Sequence, residues 1–418
     1  MNSRPLARLS RRFEKELLRL RMRYLLSAPA RKEMAREKES PTAEDIPITS
    51  FIDEGLAWIG RAQDHSRSAD GGVARHFCLL SGWGPSYPET TGYIIPTLIR
   101  EGRIRGDINL LNRSRKMLDW LLSIQLPTGA FQGGTIDTAT PVPVTFNTGQ
   151  ILLGLTAGTV GFGSAYETSM MASADWLVST QDRDGCWRKF PTPYASPGEK
   201  TYETHVAWGL LEAARLLPDR GYAEAAIRNV YWAMGQQSAE GWFPDCCLNN
   251  STNPLTHTIG YILRGLVEAY LFTGDGKILE SANRCAEGAL RAMRSDGYLP
   301  GRLDSRWQGS VSWSCLTGTQ QLAICWLLLY RKTGNTQFRD AAFLANRFVR
   351  RTVRLDGPME TRGAVKGSFP VKGEYSQFQY PNWACKFFLD AQRLELDVRV
   401  DESEAAASRG VGASCSAG

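Results

Sequence analysis

The chain has 418 residues, 43% of them hydrophobic and 22% charged, and a formal net charge of +6. Residues 1–40 hold 12 Lys or Arg against 5 Asp or Glu, whereas the rest holds 37 against 38, so the positive charge belongs to an N-terminal arm and the body is near neutral. Such a body lacks the basic footprint of a nucleic-acid binder, no apolar run approaches the roughly 18 residues of a membrane span, and nine cysteines without a Cys-x-x-Cys pair imply neither a disulfide framework nor a zinc ribbon.

The first predicted element is this arm, 1–44, helical or partly disordered. From Leu6 to Leu26 leucines and basic residues can share one helix face, which would rest on an anionic membrane surface or a membrane-bound synthase, or pack on the body. Charges at Arg4, Arg8, Arg11, Arg12, Glu14, Lys15 and Glu16 leave no signal-peptide core. The expected location is the cytoplasm, peripheral to the inner membrane if the arm is an anchor.

Residues 45–395 read as a repeat. Trp120-x4-Gln125-x3-Gly129-x-Phe131 returns as Trp176-x4-Gln181-x3-Gly185-x-Trp187 and as Trp232-x4-Gln237-x3-Gly241-Trp242, a step of 56 residues each time. Gly297 and Gly357 continue the series forward, and Trp58-x4-Gln63 begins it, giving six copies. Each copy holds a second helix, nearly apolar all round and rich in small residues, opening at Thr91-Gly92-Tyr93, Asn147-Thr148-Gly149, His205-Val206-Ala207, Thr258-Ile259-Gly260, Gly318-Thr319-Gln320 and Asn382-Trp383-Ala384. A helix of that pattern is buried on most of its surface, whereas the Trp-bearing helices have polar faces such as Asn112-Arg113-Ser114-Arg115-Lys116. The expected architecture is all-α, an (α/α)6 toroid of six helical hairpins with an inner and an outer ring. Closure is expected over an open solenoid because neither end reads as a polar cap. The tail, 396–418, rich in Ala, Ser and Gly, reads as disordered.

The hairpin repeat resembles the six-hairpin glycosidase superfamily, and its Gln-x3-Gly turn is similar to that of squalene cyclases and prenyltransferase β-subunits. Tyr87-Pro88-Glu89-Thr90-Thr91-Gly92-Tyr93, Phe146-Asn147-Thr148-Gly149-Gln150, His257-Thr258-Ile259-Gly260-Tyr261, Trp313-Ser314-Cys315-Leu316-Thr317-Gly318 and Tyr380-Pro381-Asn382-Trp383 resemble bacterial proteins associated with exopolysaccharide gene clusters. That resemblance implies polysaccharide metabolism and an oligosaccharide or polysaccharide substrate, and carries no catalytic residues with it.

In such a toroid the loops entering the inner helices meet on one face. Glu89, Glu203 and Asp304 are the candidate acid and base for glycoside hydrolysis, which needs two carboxyl groups flanking the scissile bond. N-capping or charge compensation at a helix start explains any one of them alone. His205 and His257 open inner helices, and with Asn147, Tyr261 and either Arg264 or Arg302 they offer the residue types for proton removal from C5 of a uronate, by a lyase or a C5-epimerase. Either histidine alone is equally a buried, hydrogen-bonded core residue. Asp137, Asp245, Glu374, Tyr375 and Tyr380 are candidate substrate contacts, as are Trp83, Trp307 and Trp313, whose rings suit sugar faces; Trp242, on the repeat position, reads as core.

Two rival chemistries are poorly served. A terpenoid cyclase needs an Asp-x-Asp-Asp proton donor, which does not occur, and a prenyltransferase-like zinc site would need Asp245, Cys247 and His257, which stand too close together in sequence to match that family. The expectation is therefore a glycosidase-like enzyme without metal or cofactor, with uronate lysis or epimerisation next, a terpenoid cyclase- or prenyltransferase-like enzyme third and a non-catalytic glycan- or protein-binding toroid last.

Overall fold

The computed structural model describes residues 26–38, 46–196 and 198–414, with no side chains beyond 405. Most of the basic arm, including Leu6 to Leu25, therefore lies outside the described residues. The described part holds a short helix, α1 (Ala28–Arg36), followed by six hairpins. These are α2 (Ile48–Asp64) with α3 (Pro88–Arg105), α4 (Ile108–Ile124) with α5 (Thr145–Phe162), and α6 (Glu167–Thr180) with α7 (Thr204–Leu216). Then follow α8 (Tyr222–Met234) with α9 (Thr256–Thr273), α10 (Gly276–Arg291) with α11 (Leu316–Thr333), and α12 (Thr336–Arg350) with α13 (Asn382–Ser414).

The odd-numbered helices from α3 to α13 form the inner ring, and each packs on the next in sequence, with α13 returning to α3. The ring is tight because small residues let backbones meet. A Cβ on Gly154 would lie 2.2 Å from the Gly92 carbonyl oxygen, one on Gly209 2.4 Å from that of Gly149, and one on Gly318 2.5 Å from the His257 nitrogen. Closure is covalently distant but physically continuous: Trp58 Nε1 donates to the Glu360 carbonyl (2.8 Å), Asn382 Nδ2 to that of Ala74 (3.0 Å), and Arg393 Nε to Glu101 Oε1 (2.7 Å).

In the three copies that carry the full motif the repeated turn has the same job. Gln125, Gln181 and Gln237 each donate Nε2 to the carbonyl of their own turn glycine, at 2.9, 3.0 and 3.2 Å. The same nitrogens also donate to Ser169, Ala225 and Ser281 on the next outer helix, at 2.9, 2.8 and 3.0 Å. Each glutamine thus ties its turn to the neighbouring hairpin through two backbone carbonyls. Gly185 stands at φ +99, and a Cβ there would meet the Arg228 carbonyl oxygen at 2.6 Å, so only glycine fits.

Short links join inner to outer helices at one end of the toroid, where Gly106-Asp107, Gly274-Asp275 and Gly334-Asn335 pair a left-handed C-cap with an N-cap side chain. Long loops occupy the other end. There β1 (His76–Cys78) pairs with β2 (Gly82–Trp83) and β3 (Ser314–Cys315) with β4 (Ser368–Phe369), while β5 (Gln379–Pro381) pairs with β1, clasping the first loop to the last.

Two expectations about the termini are corrected or sharpened. The tail expected to be disordered from 396 is instead the continuation of α13, held by Tyr330 Oη to Glu402 (2.6 Å) and Arg331 to Asp401 (2.7 Å). Composition misjudged it because the order comes from charge pairs with another helix. At the other end, α1 docks on the toroid through the buried Lys366, whose Nζ lies 2.8 Å from Glu33 and 2.7 Å from Glu37, so this stretch of the arm is a packed element. No described helix is long and apolar enough to cross a membrane.

Candidate active site

The long loops enclose a mouth cavity of about 350 Å³. Its wall includes Arg75 from the first loop, Tyr87 and Glu89 at the start of α3, His257 and Tyr261 on α9, and Tyr375 and Trp383 from the last repeat.

Glu89 is the second residue of α3, after Pro88, which needs no backbone donor in the first turn. Its carboxyl is buried, and burial pushes its pKa up to about 7; the Tyr87 hydroxyl, which donates to Oε2 at 3.1 Å, and the Arg75 charge pull the other way. The acid is therefore poised to hold its proton near neutrality.

Arg75 is half-buried, with its guanidinium 5.7 Å from the Tyr87 ring and 5.2 Å from the Trp383 ring. It donates to Nδ1 of His76 at 3.2 Å, and burial and the Arg75 charge push that imidazole down to about 4. Among the described residues, no carboxylate lies within ion-pairing distance of Arg75. A cation lining a cavity and partnered only by aromatic faces and a neutral imidazole is suited to a negatively charged ligand group.

His257 lies at the wall with Nδ1 2.7 Å from Oε1 of Gln321 on α11. With the amide oxygen facing it, Nδ1 carries the proton, and Nε2, without a protein partner, is left as a base. Burial pushes the pKa down to about 4, against the opposing hydrogen bond, so the ring is neutral over most of the working pH range. Tyr261 (4.4 Å) and Tyr375 (5.4 Å) flank it, and Trp383 Nε1 donates to the Tyr375 hydroxyl at 2.7 Å.

His205 repeats this arrangement on the preceding inner helix, with Nδ1 2.6 Å from Oε1 of Gln150, but its Nε2 is buried without a partner and the ring does not line the cavity. It stands behind Tyr261, at 4.6 Å between ring centres. Burial, then Arg264 and Lys386, hold its pKa well below the usual histidine value. Asn147 is likewise behind the wall, with both amide atoms buried and unpartnered. Glu203 is buried there too, its carboxyl kept well above the usual range by desolvation that Lys200 and Arg188 only partly offset.

The mouth thus brings together Glu89, His257, Tyr261 and Tyr375, and leaves the other candidates elsewhere. Asp304 accepts from the Arg306 and Gln308 amides at 2.9 and 2.8 Å and so shapes its own surface loop. That loop turns Trp307 outward, away from the cleft: its ring fills the slot left by Gly288 on α10, packs on Trp242 at 5.1 Å, and donates to the Glu240 carbonyl at 3.0 Å. Trp313 packs over Gly301 with Leu255 and Cys315, and Trp83 packs on Trp58 and Phe77 in the outer layer. Asp137 is exposed and paired with Arg67, Asp245 and Glu374 are exposed, Arg302 donates to the Asn253 carbonyl, and Tyr380 is buried beside Glu33 of α1.

Arg75, Tyr87, Trp383, Gln150 and Gln321 were not among the candidates drawn from the sequence, although Tyr87, Gln150 and Trp383 stand in its quoted motifs. The glutamines carried a usable signal: each is the sixth residue of its inner helix, and each histidine it holds is the second residue of another. Among the described residues, no group of three His, Cys, Asp or Glu side chains is placed to hold a metal ion.

No protein-family model matches the chain, and no curated protein matches it by sequence. Solved structures match its fold. An unsaturated glucuronyl hydrolase specific for heparin superposes with a TM-score of 0.67 at 16% identity, over 84% of this chain and 97% of that one. A cellobiose 2-epimerase from Bacillus thermoamylovorans B4167 gives 0.62 at 11% identity, over 87% and 98%. A GH76 alpha-mannanase from Bacteroides thetaiotaomicron gives 0.61 at 14%, over 86% and 98%. The fold these structures share with the chain is the (α/α)6 toroid of helical hairpins.

Proposed function

We propose that this toroid is a carbohydrate-active enzyme that performs acid/base chemistry on a uronate-bearing oligosaccharide or polysaccharide in the mouth cavity. Arg75 carries the reading, since a guanidinium without a carboxylate partner borders a cavity that also holds a neutral His257 and a protonated Glu89. Arg75 would face the substrate carboxylate and make the C5 proton more acidic, and His257 Nε2 would remove it. In a lyase, Glu89 would then protonate the departing C4 oxygen as the C4–O bond breaks and C4=C5 forms. In an epimerase, a proton would instead return to the opposite face of C5.

Hydrolysis is the second reading, favoured by the Glu89 pKa of about 7, which suits a general acid, and by fold neighbours that include a glucuronyl hydrolase and an alpha-mannanase. It needs a second carboxylate across the bond, and among the described residues Glu89 alone supplies one to the cavity. We further propose, from the sequence resemblance, a setting in exopolysaccharide metabolism, with the part of the arm before α1 as the segment that would meet an anionic membrane surface or a synthase.

The test is to incubate the protein with uronate-containing polysaccharides in D2O. Ultraviolet-absorbing unsaturated ends, or deuterium at C5, lost in His257→Ala, would support proton abstraction. New reducing ends without either signal would move the assignment to hydrolysis, and no chemistry on any of them would leave a binding toroid.

A further inference from the structure

The opposite end of the toroid holds a second and larger cavity, about 510 Å³, among the last turns of the inner helices. Its floor is polar and crowded. Lys386, 4% exposed, pairs with Asp390 at 2.8 Å, and Thr97 and Arg100 donate to the same carboxylate at 2.8 Å each. Burial alone would raise the Asp390 pKa, but Lys386 and Arg100 bring it to about 2. Beside this cluster Trp208 donates Nε1 to Glu212 at 3.2 Å and carries the Arg264 guanidinium 4.2 Å above its ring. Thr156, 4% exposed, is in the wall with a hydroxyl that has no partner.

The rim is different. Ile104 at the end of α3 is 55% exposed and Val160 near the end of α5 is 58% exposed, and both line this cavity, with Leu153 and Ala157 leading inward between them. Arg103 bridges the two helices below this edge, donating to the Gly161 carbonyl at 3.4 Å. Apolar side chains left in water at a cavity edge, over a floor of paired charges and an indole, fit a ligand with two unlike ends. The floor offers fixed donors, acceptors and an aromatic face, as hydroxyl groups on a ring require, and Lys386 and Arg100 are matched there by Asp390 and Arg264 by Glu268, so the floor does not call for a charged head; Arg103 stands at the edge, on the Gly161 carbonyl.

We propose that this rear cavity is a second binding site, for an amphiphile with a hydroxylated glycosyl head on the Trp208 and Glu212 floor and an alkyl chain leaving over Ile104 and Val160. It is distinct from the mouth, although Tyr93 lines both cavities, and it does not depend on which reaction the mouth performs.

Titration calorimetry of the full chain with dodecyl β-D-maltoside, below its micelle concentration, tests this. The expected result is saturable one-to-one binding, weakened at least tenfold in Val160→Ser and in Glu212→Ala and unchanged in Glu89→Gln. Maltose alone and a dodecyl sulfobetaine should each bind at least tenfold more weakly, because each lacks one of the two ends. No saturable binding, equal binding of the sulfobetaine, or wild-type binding in both rear-site variants would overturn the proposal. Loss in Glu89→Gln alone would place the detergent in the mouth, which also overturns it.

Discussion

Gln321 holds Nδ1 of His257 at 2.7 Å from the neighbouring inner helix, and this single contact decides which imidazole nitrogen is free at the cavity wall. If that is how the base is set, Gln321→Leu should lower kcat about 10- to 100-fold with little change in KM, since the ring stays but its orientation is released. Gln321→Glu should instead raise the His257 pKa from about 4 by placing a carboxylate beside it. The acid limb of the rate profile would then move to higher pH, an effect that loss of packing alone does not produce.

The pH dependence follows from two opposed shifts. His257 must be neutral to accept a proton, so kcat/KM should rise as pH climbs through about 4; Glu89 must be protonated to donate, so the rate should fall through about 7. In Glu89→Gln the alkaline limb should vanish from whatever activity survives. A wild-type profile flat from pH 5 to 9 would remove Glu89 as the acid.

Glu89 also makes a stability prediction of definite sign. Its folded pKa is raised from 4.5 to about 7, so the native state binds this proton more tightly than the unfolded chain, and stability is lost as pH rises between those values. The full loss is roughly 3 kcal/mol at 1.36 kcal/mol per pKa unit. Urea denaturation should show Glu89→Gln gaining on wild type by that order at pH 8 and by much less at pH 4.5.

Arg75 is the specificity determinant on this reading. Arg75→Gln should raise KM for a uronate substrate about 100-fold while leaving binding of the corresponding neutral sugar within a few-fold, because only the former loses its charged partner. Equal loss for both sugars would reduce Arg75 to a wall residue.

The repeated glutamine is a stabiliser with no part in chemistry. In Gln181→Ala the Gly185 and Ala225 carbonyls both lose this donor while Asn229 Nδ2 still donates to Gly185, at a cost of about 0.5–1.5 kcal/mol. Thermal unfolding should show the drop with the rate constants unchanged.

The ring itself was legible in the sequence because its causes are local and repeated. A 56-residue step, a glycine that must take positive φ, and helices with small residues on every face are properties of short stretches, and Gly129, Gly185, Gly241, Gly297 and Gly357 all stand at φ between +84 and +99. That the loops before the inner helices share one mouth followed from the architecture, and it placed Glu89, His257, Tyr261 and Tyr375 together. Glu203 and His205 came from the same reasoning and ended behind the wall; His205 holds the same helix position as Glu89 and His257, but Tyr261 and Phe146 from neighbouring helices pack over its ring at 4.6 and 6.3 Å.

What the sequence determined by itself is the period, the two kinds of helix and the end of the toroid where polar loops gather, because burial pattern and turn conformation are set by residues close in the chain. Only the tertiary structure decided which loop residues face inward. Trp307 points outward because Gly288 opens a slot for it and a carbonyl at Glu240 accepts its proton, and Arg75 reaches the cavity because β1 is held by β5 from the far end of the chain. The direction of a loop side chain is fixed by partners tens to hundreds of residues away, and those partners exist only once the ring has closed.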